Sequence, residues 1–116
     1  MTEIQKLLYS AEQKAKELAQ AESNRVYIEE FKKSKLAILM KEFQQQGFGA
    51  ISAQEREARS HNEFIELLKG LTEATKKSMQ LKYELKIIEW KVMLHQTKQA
   101  DRRAEMKMVN AQRPGC

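Results

Sequence analysis

Ten positions in the second half of this chain follow alternating steps of three and four residues without a slip: Phe64, Leu67, Leu71, Ala74, Ser78, Leu81, Leu85, Ile88, Val92 and His95. Eight of the ten are apolar. Such a repeat lays an apolar line along one side of an α-helix and requires a second helix beside it. It excludes a half-buried strand over the same stretch, which would alternate every second residue. Four glycines and one proline in 116 residues are too few turn formers for a many-stranded sandwich or barrel. Ala, Leu, Glu, Lys, Gln and Met, all good helix formers, are plentiful instead.

The second helix is found upstream. Thr2-Glu3-Ile4-Gln5 is a capping box, and no Gly or Pro interrupts the chain from there to Gln46. A first helix is expected over 2–46, with Ile4, Leu8, Ala11, Ala15 and Leu18 as its apolar line. That line loses its phase at Glu22 and Arg25 and resumes as Ile28, Phe31, Ile38 or Leu39, and Phe43. Gly47-Phe48-Gly49-Ala50-Ile51 is the clear break, and Gly47 suits the left-handed residue that closes a helix. Ser52-Ala53-Gln54-Glu55 reads as a capping box opening the next helix, and Ser60-His61-Asn62-Glu63 repeats the form. The expectation is a turn at 47–52, a helix over 53–109 that can break near 60–62, and a frayed tail at 110–116. Gly70 lies in phase with the repeat and reads as tolerated. The fold class is therefore all-α: one helical domain over 1–116, an antiparallel hairpin of long helices with coiled-coil-like packing.

A second apolar stripe lies nearly opposite the first: Met79, Tyr83, Ile87, Trp90 and Leu94, with Met93 beside it. A helix apolar on two opposite sides needs two neighbours, and a hairpin supplies one. Oligomerisation or partner binding through this stripe is expected, and the hairpin is expected to be a homo-oligomer, dimeric or higher. Trp and Tyr are frequent anchors of interfaces.

Charge is uneven. Residues 76–96 carry five lysines against two glutamates, whereas residues 47–75 carry three basic and five acidic groups. Lys76, Lys77, Lys82, Lys86, Lys91, Lys98, Arg102, Arg103 and Lys107 form a basic arm that could track a phosphate backbone. A solvated helix face carries the same pattern.

Sites for chemistry are sparse. His61 and His95 are the only histidines and lie far apart, so no metal site is expected. Glu29-Glu30 and Glu55/Glu57 read as scattered surface charges. Gly47-Phe48-Gly49 lacks the Lys-Ser/Thr ending of a phosphate loop. The lone Cys116 excludes an internal disulfide and a multi-cysteine zinc site. An enzyme is not expected, nor is a cofactor. The absence of a long apolar run and of an N-terminal signal pattern points to the cytoplasm, with no membrane partner.

The stretch Asn24-Arg25-Val26-Tyr27-Ile28-Glu29-Glu30-Phe31-Lys32-Lys33-Ser34-Lys35, the segment Gln54-Glu55-Arg56-Glu57-Ala58 and the run Arg102-Arg103-Ala104-Glu105-Met106 resemble small helical proteins encoded by tailed phages and prophages. The resemblance implies a mobile-element origin and a bacterial host. It carries over no active-site residue. The expected function is then a non-enzymatic protein that binds and inhibits a host protein or ribonucleoprotein, such as a nuclease or defence complex. Two other readings stand beside it: a DNA- or RNA-binding accessory factor for phage recombination or replication, and a structural coiled-coil adaptor.

Overall fold

A computed structural model describes residues 1–111. The described residues form three helices and no strand: α1 (Glu3–Gln45), α2 (Ile51–Ser60) and α3 (Asn62–Ala111). α1 and α3 run antiparallel and pack along most of α1, giving a hairpin about 25 by 15 Å in cross-section.

α1 begins at the expected box. Thr2 Oγ1 accepts from the Gln5 N–H at 3.2 Å, and Gln5 Oε1 accepts from the Thr2 N–H at 2.9 Å. Its far end closes on Gly47, whose φ of +107° only glycine adopts freely. The Gly47 N–H donates to Gln44 and the Phe48 N–H to Phe43, both at 3.1 Å. The first uses a carbonyl that the helix end would otherwise leave free, and the second adds to a Phe43 carbonyl that also accepts from the Gln46 N–H. The Phe48 ring then meets the Phe43 ring edge-on at 5.6 Å, sealing the turn with an apolar contact.

Two boundaries correct the sequence reading. α2 starts at Ile51, not at 53, with Ala50 as its cap and no side-chain capping bond. Gln54 explains the shift. It is buried, and its Nε2 donates to the carbonyls of Phe48 and Gly49, so it braces the turn, while Glu55, which a box would pair with Ser52, pairs with Arg59 instead. At the next boundary Ser60 turns its hydroxyl back to the carbonyls of Arg56 and Glu57. His61 does the capping, accepting the Glu63 N–H on Nδ1 at 3.1 Å. The break near 60–62 is thus real and one residue wide.

α3 is continuous through Gly70, and a Cβ built there meets nothing within 4 Å. Gly70→Ala should therefore raise stability by about 1 kcal/mol, the helix-propensity difference. A thermal melt that leaves the midpoint unmoved or lowers it would refute this. Asn110 and Ala111 are helical, so the expected frayed tail does not begin at 110; the rest of that stretch, with Cys116, lies outside the described residues.

The densest packing lies at the closed end. Leu39, Ala58 and Phe64 are buried together there, with Leu36, Met40 and Phe43 against them. α2 folds back across the hairpin and closes this cluster. All ten positions of the α3 repeat are buried or half-buried, as the spacing requires.

The α1 line is different from the expected one. Leu8, Ala15 and Phe31 are exposed, and at 38/39 it is Leu39 that turns inward. The inward positions run Ile4, Leu7, Ala11, Lys14, Leu18, Ala21, Arg25, Ile28, Lys32, Lys35, Leu39 and Phe43. The alternation of three and four holds from Ile4 to Leu39 and ends on a second step of four, to Phe43; charged residues occupy part of the line. They fix the register with α3: Lys14 to Glu84 at 2.9 Å, Lys35 to Glu63 at 2.5 Å, and Glu22 to the Ser78 hydroxyl. In that register the start of α1 lies beside Leu94–Lys98, where Glu3 and Leu7 share a shallow cleft with them. The remainder of α3, from about residue 99 to 111, projects beyond α1 as a single exposed helix.

Candidate binding face

The outer side of α3 follows from its own periodicity. Once Ser78, Leu81, Leu85 and Ile88 face α1, residues half a turn away must face solvent. Met79, Tyr83, Ile87, Trp90 and Leu94 are there, and all five are exposed in the single chain. Tyr83 keeps 64% and Trp90 58% of its surface, and Met93 beside them is equally open. The first helix leaves this stripe open from Met79 to Trp90, and its start, at Glu3 and Leu7, borders only Leu94. The line begins in an open depression where Leu71, Thr72, Thr75 and Lys76 adjoin Met79 and Tyr83.

The basic arm divides into three parts. Lys82 reaches Glu22 of α1 at 3.5 Å, and Lys86 reaches Glu89 at 3.9 Å. Lys76, Lys77 and Lys91 stand exposed on α3 with no ion pair among the described residues. Lys98, Arg102, Arg103 and Lys107 lie at or beyond the end of α1, also without an ion pair among them. The nine cations thus do not form one continuous strip.

Two features escaped the sequence reading. One is a polar node inside the seam. Arg25 bonds Glu22 at 3.2 Å and Glu29 at 2.7 Å, and Glu22 also accepts from the buried Ser78 hydroxyl. Arg25 first and Ser78 second hold the Glu22 carboxyl down at about 2, against an ordinary value of 4.5. Lys35 lowers Glu63 in the same direction, and Lys14, helped by Gln80, lowers Glu84. No apolar-periodicity argument finds such a node, since its members count as breaks in the pattern. The other is a smaller apolar patch on α1, where Tyr27 stacks on Phe31 with ring centres 6.1 Å apart, both exposed.

The residues considered for chemistry have structural occupations. The His61 ring rests against Phe43 with centres 6.1 Å apart while capping α3. His95 lies at the open end of the seam. Glu29 serves Arg25, Glu55 pairs with Arg59 at 2.9 Å, and Glu57 with Arg56 at 3.5 Å. Among the described residues no three His, Cys, Asp or Glu side chains gather as a metal site. No helix among them is long and apolar enough to cross a membrane.

Fold and exposed face together define an all-α hairpin with one covered seam and one uncovered stripe. No protein-family model, no curated protein and no solved structure matches this chain.

Proposed function

We propose that this chain is a non-enzymatic binding protein that engages a partner protein through the outer face of α3. The carrying observation is the exposure of Met79, Tyr83, Ile87, Trp90 and Leu94 on a helix whose opposite side is already packed. Exposed aromatic and aliphatic side chains aligned on one rigid helix favour association over solvation. The resemblance to phage-encoded helical proteins supports a host protein or ribonucleoprotein as target, blocked by occupation of its surface. The bacterial cytoplasm is the compartment of this reading.

Affinity capture from host lysate, with and without nuclease, tests it. A specific protein should remain bound after nuclease treatment. Trp90→Ala should lower its affinity about thirtyfold, the effect of losing an interface hot spot, while leaving helicity intact. Equal capture by wild type and Trp90→Ala would refute this face as the site.

A nucleic-acid reading has one observation in its favour: the projecting end of α3 carries Lys98, Arg102, Arg103 and Lys107 without ion pairs among the described residues. Under it, retention would vanish with nuclease, fall steeply with salt and drop on reversing Arg102 and Arg103.

A further inference from the structure

We infer that the outer face of α3 takes a single α-helix of a partner protein, one with an apolar line bordered by acidic residues. The inference rests on the binding-module reading and names the chemistry of its partner.

Width is the first argument. Met79, Tyr83, Ile87, Trp90 and Leu94 follow steps of four, four, three and four. At ~100° per residue they fall within an arc of about 80°, which the exposed Met93 widens to about 120° on the Lys86 side. The five-residue arc is the width of a seam between two helices, not of a face lying flat on lipid. Lys86 crowds one edge and narrows it further, and Lys76 ends the line on its N-terminal side.

Charge is the second. From Thr75 to Ala100, α3 carries six lysines and two glutamates. Lys82 and Lys86 stand on one side of the apolar line, and Lys77, Lys91 and Lys98 on the other. Both glutamates are engaged: Glu84 turns to Lys14 of α1 at 2.9 Å, and Glu89 meets Lys86 at 3.9 Å. A helix docked here finds Lys77, Lys91 and Lys98, without ion pairs among the described residues, along one margin, and Lys82 and Lys86, which reach Glu22 and Glu89, along the other. In paired helices such flanking charges select the partner.

The same arrangement disfavours a second copy. Two such faces packed together set lysine against lysine on both flanks, and like charges across a helix pair repel. The Tyr27/Phe31 patch on α1 offers no acidic rim either, since Glu30 there is paired with Lys33 at 3.2 Å.

The test uses two synthetic peptides of about three heptads. Both carry Leu along one seam; one has Glu and the other Lys at the flanking positions. Each is titrated into the full chain, with binding read by calorimetry and by the emission of Trp90, the only Trp. The acidic peptide should bind about tenfold more tightly or better, and added salt should reduce the difference. The double variant Lys86→Glu, Lys91→Glu should reverse the preference, and Trp90→Ala should weaken both peptides by calorimetry. Equal binding of the two peptides overturns the acidic-partner inference and leaves the binding face standing. Unchanged binding to Trp90→Ala places the contact elsewhere and overturns both. The inference also fails if neither peptide binds. In that case Trp90 emission that shifts with protein concentration assigns the face to self-association. A shift only with phosphatidylserine vesicles assigns it to a lipid surface.

Discussion

Phe64→Ala should cost the fold about 3–5 kcal/mol, the range for truncating a buried aromatic ring to alanine. The thermal midpoint should fall by more than about 10 °C. Phe64 is 2% exposed and meets Leu39 and Ala58, both fully buried, at the one place where three helices converge. The guanidinium of Arg59 lies 6.0 Å from its ring centre, so the same side chain also holds the end of α2. Elsewhere the hairpin is two helices thick, and most seam residues are only half-buried. A cavity at the closed end therefore removes packing that no neighbouring layer replaces. Circular dichroism melts of Phe64→Ala and Trp90→Ala make the comparison. The first should lose stability sharply and the second barely, because Trp90 is 58% exposed in the single chain. Trypsin cleavage at Arg56 and Arg59 should quicken in Phe64→Ala if α2 comes loose. Equal melting of the two variants would mean that α2 does not clamp the hairpin.

The α3 seam was legible in full because its ten positions are occupied almost entirely by side chains that water disfavours. Burial and spacing there coincide. The outer stripe was legible for the same reason, and its exposure follows once the seam is assigned. α1 was legible as a helix and in its apolar inward positions Ile4, Ala11, Leu18, Ile28, Leu39 and Phe43, but not in its charged ones. Its inward line holds Lys14, Arg25, Lys32 and Lys35, and a reading that follows hydrophobicity moves sideways to Leu8, Ala15 and Phe31. What makes a charged residue acceptable in the seam is its partner across it, Glu84 for Lys14 and Glu63 for Lys35. That pairing depends on register, and register is a property of two helices together. The start of α2 was hidden in a similar way. Ser52 is a good cap by residue type, but the helix opens earlier, at Ile51, with the buried Gln54 holding the carbonyls of the turn and Glu55 paired with Arg59. The exposed stripe was thus readable from one helix alone, while the hairpin's electrostatic register was not.

That register makes the hairpin sensitive to acid. Glu22, Glu63 and Glu84 are each held below the ordinary carboxylate value by partners in the folded chain, Glu22 at about 2. In the unfolded chain those partners disperse and the carboxyls return towards 4.5. Between these limits the unfolded state binds more protons than the folded one, so stability falls as pH falls. The contribution of Glu22 is fully present above about pH 5, declines from there, and is gone once the pH drops through about 2. Glu63 and Glu84 add to the same slope in the same direction. Net charge rises meanwhile from +5 as carboxylates are neutralised, which adds a general repulsion to every variant. Glu22→Gln separates the two effects. It keeps the side-chain shape and the repulsion but removes the titrating group. Urea unfolding of wild type should show a midpoint that drops between about pH 5 and pH 2, and Glu22→Gln should start lower at neutral pH and drop less over the same interval. The two curves converge in acid because a protonated Glu22 and the uncharged amide that replaces it are nearly equivalent partners for Arg25 and Ser78. Parallel curves across the whole range would show that the Glu22–Arg25–Ser78 node does not link α1 to α3 in solution, and the charged register would then not be what aligns the hairpin.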